Sequence, residues 1–71
     1  MSVARVTEIS STSTKSFEDA IQQGIARAVK TLRQVKGAWI KEQEVSIEGD
    51  RIVAYKVNMK VTFVLDDGVE P

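Results

Sequence analysis

The run from Ile52 to Leu65 restricts what this chain can fold into more than any other feature. Val53, Tyr55, Val57, Met59, Val61, Phe63 and Leu65 fall on one side of an extended backbone, and Ala54, Lys56, Asn58, Lys60 and Thr62 on the other. Side chains of a strand alternate between its faces, so the run predicts one long strand with an apolar and a polar surface. The chain has 71 residues, no cysteine and no histidine. A domain of that size buries only about 60% of its unfolded surface and usually needs disulfides, a structural metal or association. Without Cys and His, disulfides, thiolate chemistry and nearly all zinc, copper or haem sites fall away. Self-association is the remedy left.

The other elements follow from local patterns. Val3 to Ile9 mixes β-branched and polar residues and reads as a short strand, strand 3–9, followed by a polar loop from Ser10 to Lys15. Ser16 suits a helix N-cap, with Glu18 and Asp19 near the positive end of the helix dipole. Phe17, Ala20, Ile21, Gly24, Ile25, Ala28, Val29, Leu32 and Val35 recur at three- and four-residue spacing, which predicts one amphipathic helix over 16–36. Gly24 within it predicts close packing on the sheet, because glycine there costs about 1 kcal/mol relative to alanine. Gly37 reads as the left-handed residue that ends the helix. Strands over 38–47 and 51–65 are joined at Gly49-Asp50 by a two-residue hairpin turn, and residues 66–71 form a polar tail. The expectation is a single α+β domain over 1–71, in the order β-α-β-β, with a three-stranded antiparallel sheet partly wrapping the helix.

The residues filling this order resemble the dodecin family. The matching segments are Val6-Thr7-Glu8-Ile9-Ser10-Ser11-Thr12-Ser13, Ser16-Phe17-Glu18-Asp19-Ala20-Ile21, Ile25-Ala26-Arg27-Ala28 with Thr31-Leu32-Arg33, then Glu42-Gln43, Ile47-Glu48, Arg51-Ile52 and Tyr55 to Phe63. They lie in register without a gap from about Val3 to Leu65. The resemblance implies a hollow homododecamer that is not an enzyme and sequesters a small ligand between subunits. In typical members that ligand is a flavin such as riboflavin or FMN. Flavin-binding members carry a tryptophan just after the helix that stacks on the ring, and a glutamine early in the last strand that hydrogen-bonds it. In this register those positions are Gly37 and Lys56. The chain is therefore closer to the branch lacking both, one type of which binds calcium, and a flavin-free assembly, structural or calcium-binding, is the alternative.

Each candidate residue carries two readings. Trp39, two residues past Gly37, shares that residue's face and can turn into the space left there as a stacking surface. Tryptophan is also enriched at subunit interfaces, and that reading is the stronger. Lys56 and Lys60 either meet an anionic group of a ligand or form cross-strand ion pairs with Glu42 or Glu44, the latter being favoured. Lys56 cannot accept a hydrogen bond, so it cannot copy both bonds of an amide to a flavin imide. Trp39, Gly37, Lys56 and Gln43 form the candidate ligand set, and Glu42 and Glu44 are the candidate metal ligands, joined by Glu8 if subunits converge. Calcium takes six to eight oxygens, more than one strand supplies, and a solvated polar face accounts for the same residues.

Several functions are disfavoured outright. Ten basic residues balance ten acidic ones, which argues against nucleic acid and anionic membranes. The N-terminus lacks a signal-peptide apolar run, and no stretch approaches the roughly 20 apolar residues of a membrane span, so a cytoplasmic protein is expected. The hydroxyls of Ser11 to Thr14 lack a histidine base and read as loop and cap hydrogen-bonding groups.

Overall fold

The computed structural model describes residues 3–65. They form β1 (Ala4–Ser13), α1 (Phe17–Thr31), β2 (Val35–Glu48) and β3 (Arg51–Val64). The sheet order is β1-β3-β2, with both outer strands antiparallel to β3, so the expected β-α-β-β architecture is the one observed. The tail expected over 66–71 lies outside the described residues.

The alternation of β3 builds the core. Val57, Met59 and Val61 face α1 and are fully buried, together with Ala20, and Phe17, Ile21, Ile25, Leu32, Ile9 and Val35 pack around them. Each such large apolar side chain stabilises the fold by about 1.5–3 kcal/mol when removed from water. The helix approaches through a stripe of small residues, Ala20, Gly24 and Ala28. Gly24 is where it comes nearest: a Cβ there would lie 2.7 Å from Met59 Cε and 3.1 Å from Ser11 Cβ. The close packing expected at this glycine is present.

The N-terminus of α1 also follows expectation. Ser16 is extended, and its hydroxyl accepts the Asp19 backbone N–H at 2.9 Å. The C-terminus does not. The helix stops at Thr31 rather than Lys36, Leu32 caps it through a bond from its N–H to the Ala28 carbonyl, and Gln34 takes the left-handed conformation (φ 56°) expected of Gly37. Leu32 and Val35 continue the helical spacing, but Val35 pairs with Phe63 of β3 instead. A ladder bond to a strand already in place outweighs another helical turn. Gly37 lies inside β2, opposite Thr62 and beside a register irregularity.

β1 is longer than the strand expected over 3–9. Ser10 to Ser13, read as loop, pair with Asn58 to Tyr55. Hydroxyl side chains are short and tolerate a strand, and β3 extends far enough to pair with them. The Gly49-Asp50 turn is as expected, with positive φ at both residues (58° and 65°), the arrangement whose twist matches a β-hairpin.

The hairpin outruns the helix. Fourteen strand residues reach about 46 Å at 3.3 Å each, while fifteen helical residues reach about 22 Å. Phe17 meets Tyr55 edge to face at 5.2 Å at one end of the covered zone. Beyond it Val53 is 38% exposed, and at the opposite end Leu65 is 46% exposed. Val53 sits at the register irregularity between Ser46 and Ile47 and Leu65 just past the end of β3, and α1 shelters neither. In β2 only Val35 and Val45 are even partly covered. The fold measures 58 × 19 × 13 Å with a radius of gyration of 15.0 Å, against about 11 Å for a compact domain of this length.

Candidate ligand face of the sheet

The ladder sorts the candidate residues onto faces. Residues directly opposite on antiparallel strands share a face. Gly37 pairs with Thr62, Trp39 with Lys60, Glu42 with Asn58 and Glu44 with Lys56, so all eight lie on the side of the sheet away from α1. Gln43 pairs with buried Val57 and points to the helix side. The candidate set Trp39, Gly37, Lys56 and Gln43 is thus divided between the faces. Lys56 is also four residues along β3 from Lys60, about 13 Å from the level of Trp39. One subunit does not gather these residues into one site.

Gly37 and Trp39 do form a local unit. Nothing lies within 4 Å of where a Gly37 Cβ would stand, so the glycine leaves open space on this face. Trp39 is 52% exposed beside it, with Lys60 Nζ 5.8 Å from the ring centroid. A cation over an indole at this range is attracted by about 0.5–1 kcal/mol in an exposed setting. This contact replaces the ion pair expected for Lys60. Among the described residues Lys56, opposite Glu44, makes no ion pair either. Among the described residues the one ion pair is Lys41 Nζ to Glu8 Oε2 at 3.3 Å, which reaches across β3 between the two outer strands. Both side chains are exposed, so its contribution is about 0–1 kcal/mol. It was not foreseen, because a register irregularity between Ile40 and Glu42 sets the position of Lys41 and local sequence does not show it.

The candidate metal ligands stand apart. Glu42 Oε1 accepts a hydrogen bond from Asn58 Nδ2 at 3.0 Å, and Glu44 is two residues further along. Among the described residues no three acidic side chains are close enough to hold an ion together. A calcium site on this face therefore needs oxygens from more than one subunit.

Ser13, at the end of β1, and Ser16 serve the helix start. Ser13 is buried, and its hydroxyl donates to Asp19 Oδ2 at 2.6 Å while accepting the Lys15 N–H at 2.9 Å. Gln23 donates to the same carboxylate oxygen. The Ser13 hydrogen bond above all, then Gln23 and the charge of Lys15, hold the Asp19 carboxyl below its ordinary pKa against partial desolvation.

Two open grooves flank α1. One, of about 650 Å³, runs between the helix and β1 past Thr7, Ser11, Gln23 and Arg27. The other, of about 340 Å³, separates the helix from β2 and is lined mainly by Ile21, Ile25, Val29, Val35, Ala38 and Ile40. Among the described residues no helix is long and apolar enough to cross a membrane.

The family model for dodecin matches residues 3–66. Among curated proteins, the calcium dodecin of Mycobacterium tuberculosis is 29% identical over 63 residues, 89% of each chain. Among solved structures, dodecin from Streptomyces davaonensis is 35% identical with a TM-score of 0.88, covering 93% of this chain and 97% of that one. A tryptophan-to-phenylalanine mutant of Thermus thermophilus dodecin is 34% identical with a TM-score of 0.89, covering 94% and 100%. The structure of the M. tuberculosis calcium dodecin, described as calcium chelating with a novel calcium-binding site, has 25% identity and a TM-score of 0.79 over 97% of both chains.

Proposed function

Because the chain belongs to the dodecin family, we propose that it is a non-catalytic binding protein whose copies close into a hollow homododecamer and hold a small ligand between subunits. The observation that carries this reading is β2, which is open to solvent on both faces along nearly its whole length. A strand bearing exposed Trp39, Ile40 and Ile47 lacks cover that copies of the same chain can supply. Light scattering on a chromatographed sample tests it: a particle of twelve 7.9-kDa subunits is expected, and a monodisperse monomer or dimer refutes it.

The ligand face is the outer side of the sheet around Gly37 and Trp39. There the glycine gap and the half-exposed indole offer a stacking surface for a planar aromatic ligand of flavin type. Lys60 occupies the neighbourhood of that ring, and Lys56 is too far along β3 to join it within one subunit. A yellow preparation, or quenching of added riboflavin or FMN fluorescence, supports this ligand. Colourless protein that leaves flavin fluorescence unchanged at micromolar concentration refutes it.

A flavin-free, calcium-holding assembly is the second reading. It is favoured by the likeness to calcium dodecin and by the residues at the two positions where flavin-binding members have Trp and Gln, here Gly37 and Lys56. Glu42 and Glu44, repeated by symmetry, would supply its oxygens. Calorimetric titration with calcium separates the readings, since saturable binding lost in Glu42→Gln is expected only here. A reaction at the subunit junction has little to work with, because His and Cys are absent and the described acids and lysines form no nucleophile–base pair.

A further inference from the structure

The half-exposed indole of Trp39 shares its part of the outer face with charged groups. The ladder sets Glu8, Lys60 and Trp39 in one row across β1, β3 and β2. Lys60 Nζ lies over the indole, 5.8 Å from the ring centroid. The carboxylate opposite Lys60 is engaged elsewhere, because Glu8 Oε2 takes Lys41 Nζ at 3.3 Å. In the neighbouring row Glu42 turns its carboxylate to Asn58, accepting Nδ2 at 3.0 Å. Among the described residues Lys60 has no carboxylate partner. Lys41 and Lys60 thus share one carboxylate in this row, and the surplus positive charge sits over the ring.

That placement decides what can stack there. An ammonium carries three donors and no acceptor, and over an indole it is held by the ring face alone. A neutral planar group that stacks on Trp39 must push Lys60 aside and returns nothing to it. A planar group with an anionic substituent returns a charge-assisted hydrogen bond. The open space at Gly37, two residues along the same face, leaves room for the ring while Lys60 turns toward the substituent.

We propose that Lys60 is the specificity-determining residue of the Gly37–Trp39 surface, and that it selects a planar aromatic ligand carrying an anionic group over the same ring without one. The inference rests on the stacking site proposed above and names the charge its ligand bears. Lys60 acts as a point charge on a flexible stem, so it sets charge preference rather than the orientation of the ring.

Quenching of flavin fluorescence tests this on the full chain, because FMN and riboflavin carry the same ring and differ by one phosphate. The unaltered chain is expected to bind FMN about tenfold more tightly than riboflavin at low ionic strength, the worth of one hydrogen bond to a charged group. The gap should close at about 1 M salt, where the screening length is about 3 Å. Lys60→Gln should bring the two affinities within about threefold by weakening FMN alone, and Lys60→Arg should keep the gap. The salt dependence needs no variant, so a loss of assembly in Lys60→Gln leaves the test intact. Equal affinity for the two flavins, a gap that persists in high salt, or a gap unchanged in an assembled Lys60→Gln overturns the proposal. If the unaltered chain quenches neither flavin, the stacking reading itself fails and this inference falls with it.

Discussion

Gly24→Ala places two effects of similar size against each other. Alanine in a helix interior is favoured over glycine by about 0.8–1 kcal/mol, so propensity alone predicts a more stable protein. The fold predicts the opposite. The new methyl group would stand 2.7 Å from Met59 Cε and 3.1 Å from Ser11 Cβ. Met59 is flexible but fully buried in the core, and Ser11 is held by its pairing with Val57. Relief thus requires the helix to lift from β1 and β3, an overpacking cost of about 1–3 kcal/mol. The expected net loss is about 1 kcal/mol, a fall in Tm of about 4–8 °C for a domain of this size. Denaturant or thermal unfolding should be compared at equal protomer concentration, because assembly contributes to apparent stability. Repeating the substitution in a Met59→Val background removes the nearest contact. There Gly24→Ala should become less costly by at least about 0.5 kcal/mol, a coupling expected of residues in contact. A stabilisation of about 1 kcal/mol in the wild-type background, or strict additivity of the two changes, refutes the reasoning.

Three further outcomes are expected. Ser16→Ala removes the side chain that accepts the Asp19 N–H and should cost about 1 kcal/mol in denaturant unfolding. Gly49→Ala and Gly37→Ala form a matched pair, since neither Cβ meets anything within 4 Å. Only Gly49 has positive φ, so it should lose about 1 kcal/mol while Gly37→Ala stays near neutral in the same assay. Asp19 has a lowered pKa in the folded chain, so its contribution is complete above its unfolded pKa and is lost as pH falls through the folded value. Unfolding measured between pH 6 and about 2 should therefore show a loss of stability beginning below about pH 4, reduced in Ser13→Ala and reduced further in Asp19→Asn, which removes the Asp19 share.

The sequence carried the core more clearly than the ends of its elements. Alternation in β3 identified Val57, Met59 and Val61, because burial against a helix demands period two with no exceptions. Ser16 was legible because capping is a local hydrogen bond. The end of α1 was not, because Leu32 and Val35 satisfy helical spacing while Val35 answers to Phe63, 28 residues away in sequence. Ser10 to Ser13 read as loop for the same reason: their strand character comes from the partner strand. Of the candidate site, the shared face of Gly37 and Trp39 followed from spacing alone. The Lys60–Trp39 and Lys41–Glu8 contacts depend on register and on an extra residue in β2, which no local pattern reveals.

The free edge of β2 has a consequence for how such a protein is made. Among the described residues no strand lies beside the outer edge of the fourteen-residue β2, so its outward N–H and C=O groups are a template for indiscriminate pairing. Lys36, Lys41, Glu42 and Glu44 along that border act as gatekeepers against stacking with unrelated polypeptides. On the proposed assembly, the interval between synthesis and closure is the vulnerable stage of this molecule's life, and overexpression that outpaces closure should send material to inclusion bodies.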